Sequence, residues 1–377
     1  MEQINSKQDL INYFEKGCKK ENQLSIGVEH EKFIFDNSTN QRANFKTISK
    51  IFNFLEQFGW KTIKEKDYVI GLSREGQSIT LEPGNQIELS GAKLNSIHLN
   101  CSESYKYLDE LRKACKKLNL KMMSVSFDPF TKLEDAPQTP KQRYEIMTKE
   151  MPKDGKLSLH MMYQTCGTQI NLDYISEKDF IKKFKLSSFL APISIAIFAN
   201  SSIIENRLSG YLSYRSKVWQ NTSRAGLPNF FLEDMDFEKY TDFVINMPLL
   251  FVFKNSKHLD AEGKKFKDFM DGKLSILKNI KPNIVDFNNH LATIFTEVRL
   301  KKYIEIRSLD TCEWDCHCGG PAFYVGLLYG NLNEAFDIIN KWKPSEVLNA
   351  YMDAPKKQGV ELNNVFKDEG RCQSNCT

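Results

Sequence analysis

Four stretches of the chain alternate between apolar side chains and carboxylates or amides with a period of two, and this limits the fold more than any other feature. Successive side chains on a strand point to opposite faces. In Ser78–Gly91 (SITLEPGNQIELSG), that rule puts Thr80, Glu82, Gln86 and Glu88 on one face and Ile79, Leu81, Ile87 and Leu89 on the other. Pro83-Gly84 breaks the strand between the two halves. Ser25–Asp36 sets Glu29, Glu31, Phe33 and Phe35 opposite Ile26, Val28, His30, Lys32 and Ile34. In Thr168–Asp173, Gln169, Asn171 and Asp173 share a face, and in Tyr303–Arg307 so do Tyr303, Glu305 and Arg307. One such strand alone reads as surface, because carboxylates are mostly exposed. Four together predict an α+β fold, with a mainly antiparallel sheet whose apolar face lies under helices and whose polar face lines a cavity.

Helical spacing fills the intervals. Helices are expected over 5–20, 44–58 and 95–118, the last with Leu99, Tyr105, Leu108 and Leu111 on its buried side. Others begin at Arg143, at the capping-box pattern Ser176-x-x-Asp179, and over 187–200 and 320–343. Between them, residues 201–228 form a loop holding Arg207, Tyr211, Tyr214, Arg215, Lys217, Trp219 and Arg224. Such a loop is either a binding surface or a solvated connection. No repeat or linker divides the 377 residues, so 1–377 reads as a single domain.

Several function classes recede on composition. The 52 basic and 48 acidic residues are interspersed, with a net charge of +4, and no basic arm suits nucleic acid. The longest apolar run, Phe189–Ala199, is short of a membrane span and contains Pro192. The N-terminus, Met-Glu-Gln-Ile-Asn, lacks the features of a secretory signal, so the cytoplasm is the expected compartment. Nine cysteines in such a chain do not suggest a disulfide framework. Cys312-x3-Cys316-His317-Cys318 carries enough soft ligands for zinc, but its nearest companion pair is the distant Cys372-x3-Cys376, and ordinary or redox-responsive thiols are the simpler reading.

The carboxylate faces carry the chemistry. Glu29 and Glu31 sit at i and i+2, where like charges repel and burial without a partner is costly. A divalent cation relieves both problems. Five glutamates (Glu29, Glu31, Glu82, Glu88 and Glu305) with amides at Gln169 and Asn171 favour an oxygen-preferring ion, Mg²⁺ or Mn²⁺. Magnesium on carboxylates commonly bridges nucleotide phosphates, which points to a magnesium-dependent nucleotide enzyme and phosphoryl transfer. Neither a P-loop nor the kinase motif set occurs.

Seven segments narrow this further: IGVEHEKF, ITLEPGNQIELSGA, RYEIMxxxMP, MMYQTCGTQINLD, GYLSYRSKVW, EVRLKKYIEIRS and PAFYVGLLY. In this order, from about Ser25 to about Trp342, they resemble the glutamate–cysteine ligase family of plants and many proteobacteria. The resemblance implies a six-stranded antiparallel sheet forming a funnel with helices behind it. It also implies ATP-dependent joining of L-cysteine to the γ-carboxyl of L-glutamate, the first step of glutathione synthesis. On that reading Glu29, Glu31, Glu82, Glu88 and Glu305 hold magnesium, with Gln169 or Asn171 nearby. Arg215 and Arg307 hold the substrate carboxylate or acyl phosphate, and Arg299 serves ATP phosphates or the fold. Tyr214, Ser216 and Trp219 shape the amino-acid pockets. The alternatives are another carboxylate–amine ligase with a different amine, or a catalytically inactive homologue.

The partners expected are glutamate, cysteine and ATP, with the protein a monomer or homodimer. Where the family has an arginine, this chain has Gln164. Many plant members carry a redox-regulating disulfide; Cys318 falls at one of its cysteines but Ala261 at the other, leaving Cys312 or Cys316 to substitute. Family members continue beyond the position of Trp342, so the expected core is about 24–343 and residues 355–377 read as a mobile or truncated tail.

Overall fold

A computed structural model describes residues 2–356, so nearly all of the expected tail lies outside the described residues. Its centre is a sheet of nine strands, where six were expected. In chain order these are β1 (Ile26–Asp36), β2 (Lys61–Glu65), β3 (Tyr68–Arg74), β4 (Gln77–Leu81), β5 (Ile87–Ser90), β6 (Leu120–Met123), β7 (Gly167–Leu172), β8 (Val298–Leu300) and β9 (Ile304–Asp310). Across the sheet the order is β8-β9-β7-β1-β5-β4-β3-β2, and every pairing is antiparallel. β6 pairs with Phe33–Asp36, the far end of β1. The edge strand β2 escapes the sequence pattern because Lys61-Thr-Ile-Lys-Glu has a single apolar residue, a composition that guards sheet edges.

Helices cover the apolar face in two groups. Phe45–Leu55 and Ile97–Lys117 pack over Ile34, Leu72, Ile79, Leu81, Ile87 and Leu89. Glu177–Ile197 covers Ile26, Val28, Ile170, Leu172, Ile304 and Ile306. This last helix opens as expected, with Ser176 Oγ accepting from Asp179 N at 3.2 Å. The buried side of Ile97–Lys117 differs from expectation. Leu99 and Tyr105 are 50% and 54% exposed, and the buried stripe is Ser104, Tyr107, Leu108, Leu111, Ala114 and Cys115. Those residues recur at three- and four-residue intervals, so Leu99 and Tyr105 fall on the flank.

Two polar residues on the apolar face of β1 are accommodated individually. Lys32 is buried and donates to Thr311 Oγ1 (2.6 Å) and Cys312 O (3.0 Å). His30 stacks on His317 with ring centroids 3.5 Å apart, a packing role rather than a ligand pair. Next to His317, Cys318 forms a disulfide with Cys101, its Cα 6.0 Å away across 217 residues of chain. The link thus ties the helix Ile97–Lys117 to the segment after β9, through a cysteine that showed no pattern in the sequence. Among the described residues, no helix is long and apolar enough to cross a membrane.

Candidate active site

Strand register assembles the polar face row by row. Arg299, Glu305 and Asn171 are neighbours across β8, β9 and β7. Gln169, Glu29 and Ser90 form the next row across β7, β1 and β5. Glu31, Glu88 and Thr80 form the third across β1, β5 and β4. The four alternating stretches are therefore adjacent in space, as the single-cavity reading requires. Strand β4 ends at Leu81 and β5 starts at Ile87, so Pro83-Gly84 does interrupt the chain there. Asn85 turns it with φ 59°, and a Cβ on Gly84 would sit 2.4 Å from Tyr163 O, so only glycine fits. Glu82 thereby leaves the strand, yet its charge still acts on Glu31 and Glu88.

Amides and hydroxyls aim the carboxylates. Asn171 Nδ2 donates to Glu29 Oε1 (2.8 Å) and Gln169 Nε2 to Glu31 Oε1 (3.0 Å). Gly167 N donates to Glu31 Oε2 (2.7 Å) and Thr80 Oγ1 to Glu88 Oε2 (2.7 Å). Burial and the neighbouring carboxylates Glu305 and Glu88 push Glu29 up to about 8. Burial together with Glu82 and Glu88 raises Glu31 well above the carboxylate range, and burial with Glu82 raises Glu88. Glu29 and Glu88 are close enough to share a proton.

Glu305 lies in a contrasting environment. Burial acts to raise its pKa, but Arg299, Lys301 and Arg307 hold it well below the usual range. Arg299 Nε donates to its Oε2 at 2.9 Å, Lys301 Nζ stands 2.9 Å from the same oxygen, and Arg307 Nη1 binds Oε1. The sheet face is thus divided into an acidic half, whose carboxylates feel Lys141, Lys301, Arg215 and Arg307 only at a distance and form no ion pair among the described residues, and a cationic half whose single carboxylate is saturated. Of the five expected metal ligands, Glu29, Glu31, Glu82 and Glu88 lie in the first and Glu305 in the second.

The donor set fits a hard divalent cation, since a pair of carboxylates held together by one proton can exchange it for an ion. Among the described residues, no three acidic, His or Cys side chains are arranged round a single point. Magnesium typically takes one or two carboxylates and fills its shell with water and substrate phosphate oxygens, which matches a site built of pairs.

The expected binding residues divide. The helix Tyr214–Trp219 brings Arg215 and Trp219 to the cationic half. Arg215 Cζ stacks 4.2 Å from the Trp219 ring, and Arg307 Cζ lies 5.3 Å from it. Arg215 Nη2 donates to Arg307 O at 2.7 Å, leaving its Nε and Nη1 without a hydrogen-bond partner, as is Trp219 Nε1. Tyr214 instead packs edge-on to Phe127 at 4.8 Å, on the outer side of the helix. Ser216 is buried under the helix start, where its backbone N and its Oγ both bond Ser213 Oγ (3.2 and 2.9 Å). Gln164 is absorbed into packing: its Nε2 donates to Thr131 O (2.6 Å) and its Oε1 meets His160 Nδ1 (2.6 Å).

Several residues of the site gave no sequence signal. Lys301 sits in the tight turn between β8 and β9, outside any alternating face. Asp310 accepts from Asn200 N, Ser201 Oγ and Ser213 Oγ (2.8, 2.7 and 3.0 Å), and so holds the base of the Arg215 helix. A register shift between Ile306 and Leu309 moves Asp310 off the alternation that placed Glu305.

Comparison with known proteins agrees with the motifs. The sequence profile of Glutamate-cysteine ligase family 2 matches residues 25–373. The chloroplastic glutamate–cysteine ligase of Nicotiana tabacum is 42% identical over 347 residues, 90% of this chain and 66% of that protein. The chloroplastic glutamate–cysteine ligase B of Oryza sativa subsp. japonica is 44% identical over 90% of this chain and 70% of that protein. The chain thus spans about two thirds of the length of the curated relatives it matches. A crystal structure of a Francisella tularensis glutamate–cysteine ligase in complex with AMP covers 88% of this chain and 70% of that one, at 12% identity and a TM-score of 0.47. These relatives correct the expected compartment: the named plant enzymes are chloroplastic, and the cytoplasmic expectation does not stand.

Proposed function

The chain belongs to Glutamate-cysteine ligase family 2, and from that premise we propose that it joins L-cysteine to the γ-carboxyl of L-glutamate at the expense of ATP. The observation that carries this reading is the division of one sheet face into carboxylates that form no ion pair among the described residues and partly unpaired guanidiniums. A reaction that unites a metal-bound triphosphate with an amino acid needs both halves side by side.

In this reading Glu29, Glu31 and Glu88, with Glu82 alongside, hold Mg²⁺, which when bound neutralises and orients the phosphates of ATP. Asn171, Gln169 and Thr80 keep the carboxylate oxygens aimed. Arg215 and Arg307 bind and orient carboxylate or acyl-phosphate oxygens through planar guanidiniums. Arg299 and Lys301 keep Glu305 ionised, and Glu305 joins the metal set only as it releases one of its cations. The γ-carboxylate oxygen of glutamate attacks the γ-phosphorus, the bond to ADP breaks, and γ-glutamyl phosphate forms. The cysteine amine then attacks the acyl carbon, phosphate leaves, and the amine gives up its proton. The chain supplies positioning and charge, and no cysteine of its own acts as nucleophile.

The test is ADP release from purified protein given ATP, Mg²⁺, glutamate and a panel of amines. Release dependent on glutamate and cysteine is expected. Turnover with another amine but not with cysteine or its close analogues would overturn the assignment.

A further inference from the structure

Glu297 and Tyr351 lie outside the carboxylate rows, and the mechanism above gives them no part. Glu297 is completely buried just before β8, in contact through its backbone with the Arg215 side of the site: Arg307 N donates to Glu297 O at 2.8 Å, and Glu297 N to Gly226 O at 2.8 Å. Its side chain accepts one hydrogen bond, from Tyr351 Oη to Oε1 at 2.8 Å, and Oε2 has no hydrogen-bond partner. Burial pushes this carboxylate up, and the Arg215 and Arg307 guanidiniums and the Tyr351 hydroxyl act against that push. An ionised carboxylate so deep in the protein is maintained only beside positive charge.

Tyr351 belongs to the helix Pro344–Asp353, far along the chain from every strand of the sheet. Three features fix it to the Arg215 helix. Gln220 Nε2 donates to Tyr351 O at 2.6 Å. Gly226, with φ 80°, leaves room for the phenol: a Cβ there would stand 3.1 Å from Tyr351 Oη. Immediately after the helix, Pro355 O accepts from Leu212 N (2.7 Å) and Ser213 N (3.0 Å), the residues that lead into Tyr214–Trp219. The Arg215 guanidinium has one hydrogen bond among the described residues, to Arg307 O, and a distant acidic neighbour, Asp310 Oδ1 at 3.9 Å from Nη1. Its position therefore depends on surrounding charge and on the ring of Trp219 more than on direct bonds.

We propose that Glu297 and Tyr351 form a positioning pair that sets Arg215 for the carboxylate of the amino-acid substrate, so that the helix Pro344–Asp353 helps determine substrate affinity. The inference rests on the functional reading above, because that reading supplies the carboxylate. Tyr351 keeps one oxygen of Glu297 occupied and so fixes the carboxylate whose charge acts on the Arg215 and Arg307 guanidiniums. With the phenol hydroxyl removed, the carboxylate is free to turn and Arg215 loses its preset orientation, while the acidic half of the face is untouched.

Steady-state kinetics of wild type, Tyr351→Phe, Glu297→Gln and the double variant test this, with melting temperature recorded for each. A hydrogen bond to a charged group is worth enough that each single change is expected to raise KM for glutamate by about tenfold. KM for ATP should stay within about twofold, and the double variant should be little worse than the poorer single one, as expected for one coupled unit. Glu297→Gln preserves volume and an acceptor for Tyr351, so it reads the charge even if Tyr351→Phe folds badly. An unchanged KM for glutamate in both single variants overturns the inference. So does a parallel rise in both KM values with a fall in melting temperature, the mark of general loosening. Wild-type protein lacking glutamate-dependent ADP release overturns the functional reading, and the positioning pair with it.

Discussion

Glu29 carries a conflict between stability and function that a single substitution can expose. Its folded-state pKa of about 8 lies above the ordinary carboxylate value of 4.5. Between those values the folded protein holds a proton that the unfolded chain has released. This group's contribution to stability is therefore complete below about pH 4.5 and is lost as pH rises through 8. Without divalent metal, the melting temperature of wild type should fall between pH 6 and 9 by more than that of Glu29→Gln, whose neutral amide does not titrate. The variant should match wild type near pH 5.5 and melt about 2–4 °C higher at pH 9. A larger pH slope in Glu29→Gln than in wild type would contradict the argument. The same change removes an oxygen from the proposed metal set, so Mg²⁺-dependent turnover should drop by about 100-fold or more. Glu88→Gln should behave alike in direction, since Glu88 is also raised by burial and by Glu82.

At the scale of elements, what could be read from the sequence depended on whether a segment faces two environments. Strands β1, β4, β5, β7 and β9 each bury an apolar face and present carboxylates, amides or, in β4, hydroxyls on the other, so period two revealed them and the residues that meet in the site. The edge strand β2 has no such contrast, and Asp310 lies beyond a register shift. The pairing of Cys101 with Cys318 joins points 217 residues apart, a distance over which no local pattern operates. That link is also where the element scale makes its own prediction. A cross-link closing so long a loop restricts the unfolded chain, with typical stabilisation of about 2–4 kcal/mol. Cys101→Ala, or reduction of the wild type, should lower the melting temperature by about 5 °C or more, and reductant should have a smaller further effect on the variant. Equal melting of oxidised wild type and Cys101→Ala would mean that the helix Ile97–Lys117 is held by its apolar stripe alone.

Over the whole molecule, the two halves of the sheet face make different demands on the order in which ligands bind. The acidic half joins Glu29, Glu31, Glu82 and Glu88, none of which makes an ion pair among the described residues, and the raised pKa of Glu29, Glu31 and Glu88 means that it resists further negative charge, so a bare triphosphate is disfavoured there. The same triphosphate carrying Mg²⁺ brings the charge those carboxylates lack. The cationic half already has Arg215 and Arg307 in place, with unpaired nitrogens and no need of metal. Glutamate should therefore bind in the absence of divalent ions, and ATP should not. Calorimetric titration in EDTA and in excess Mg²⁺ is expected to change the glutamate affinity by less than about threefold and the ATP affinity by more than about tenfold, the latter at least about 1.4 kcal/mol. Tight ATP binding in EDTA would place the triphosphate on the arginines instead, and with it would reverse the assignment of the two halves.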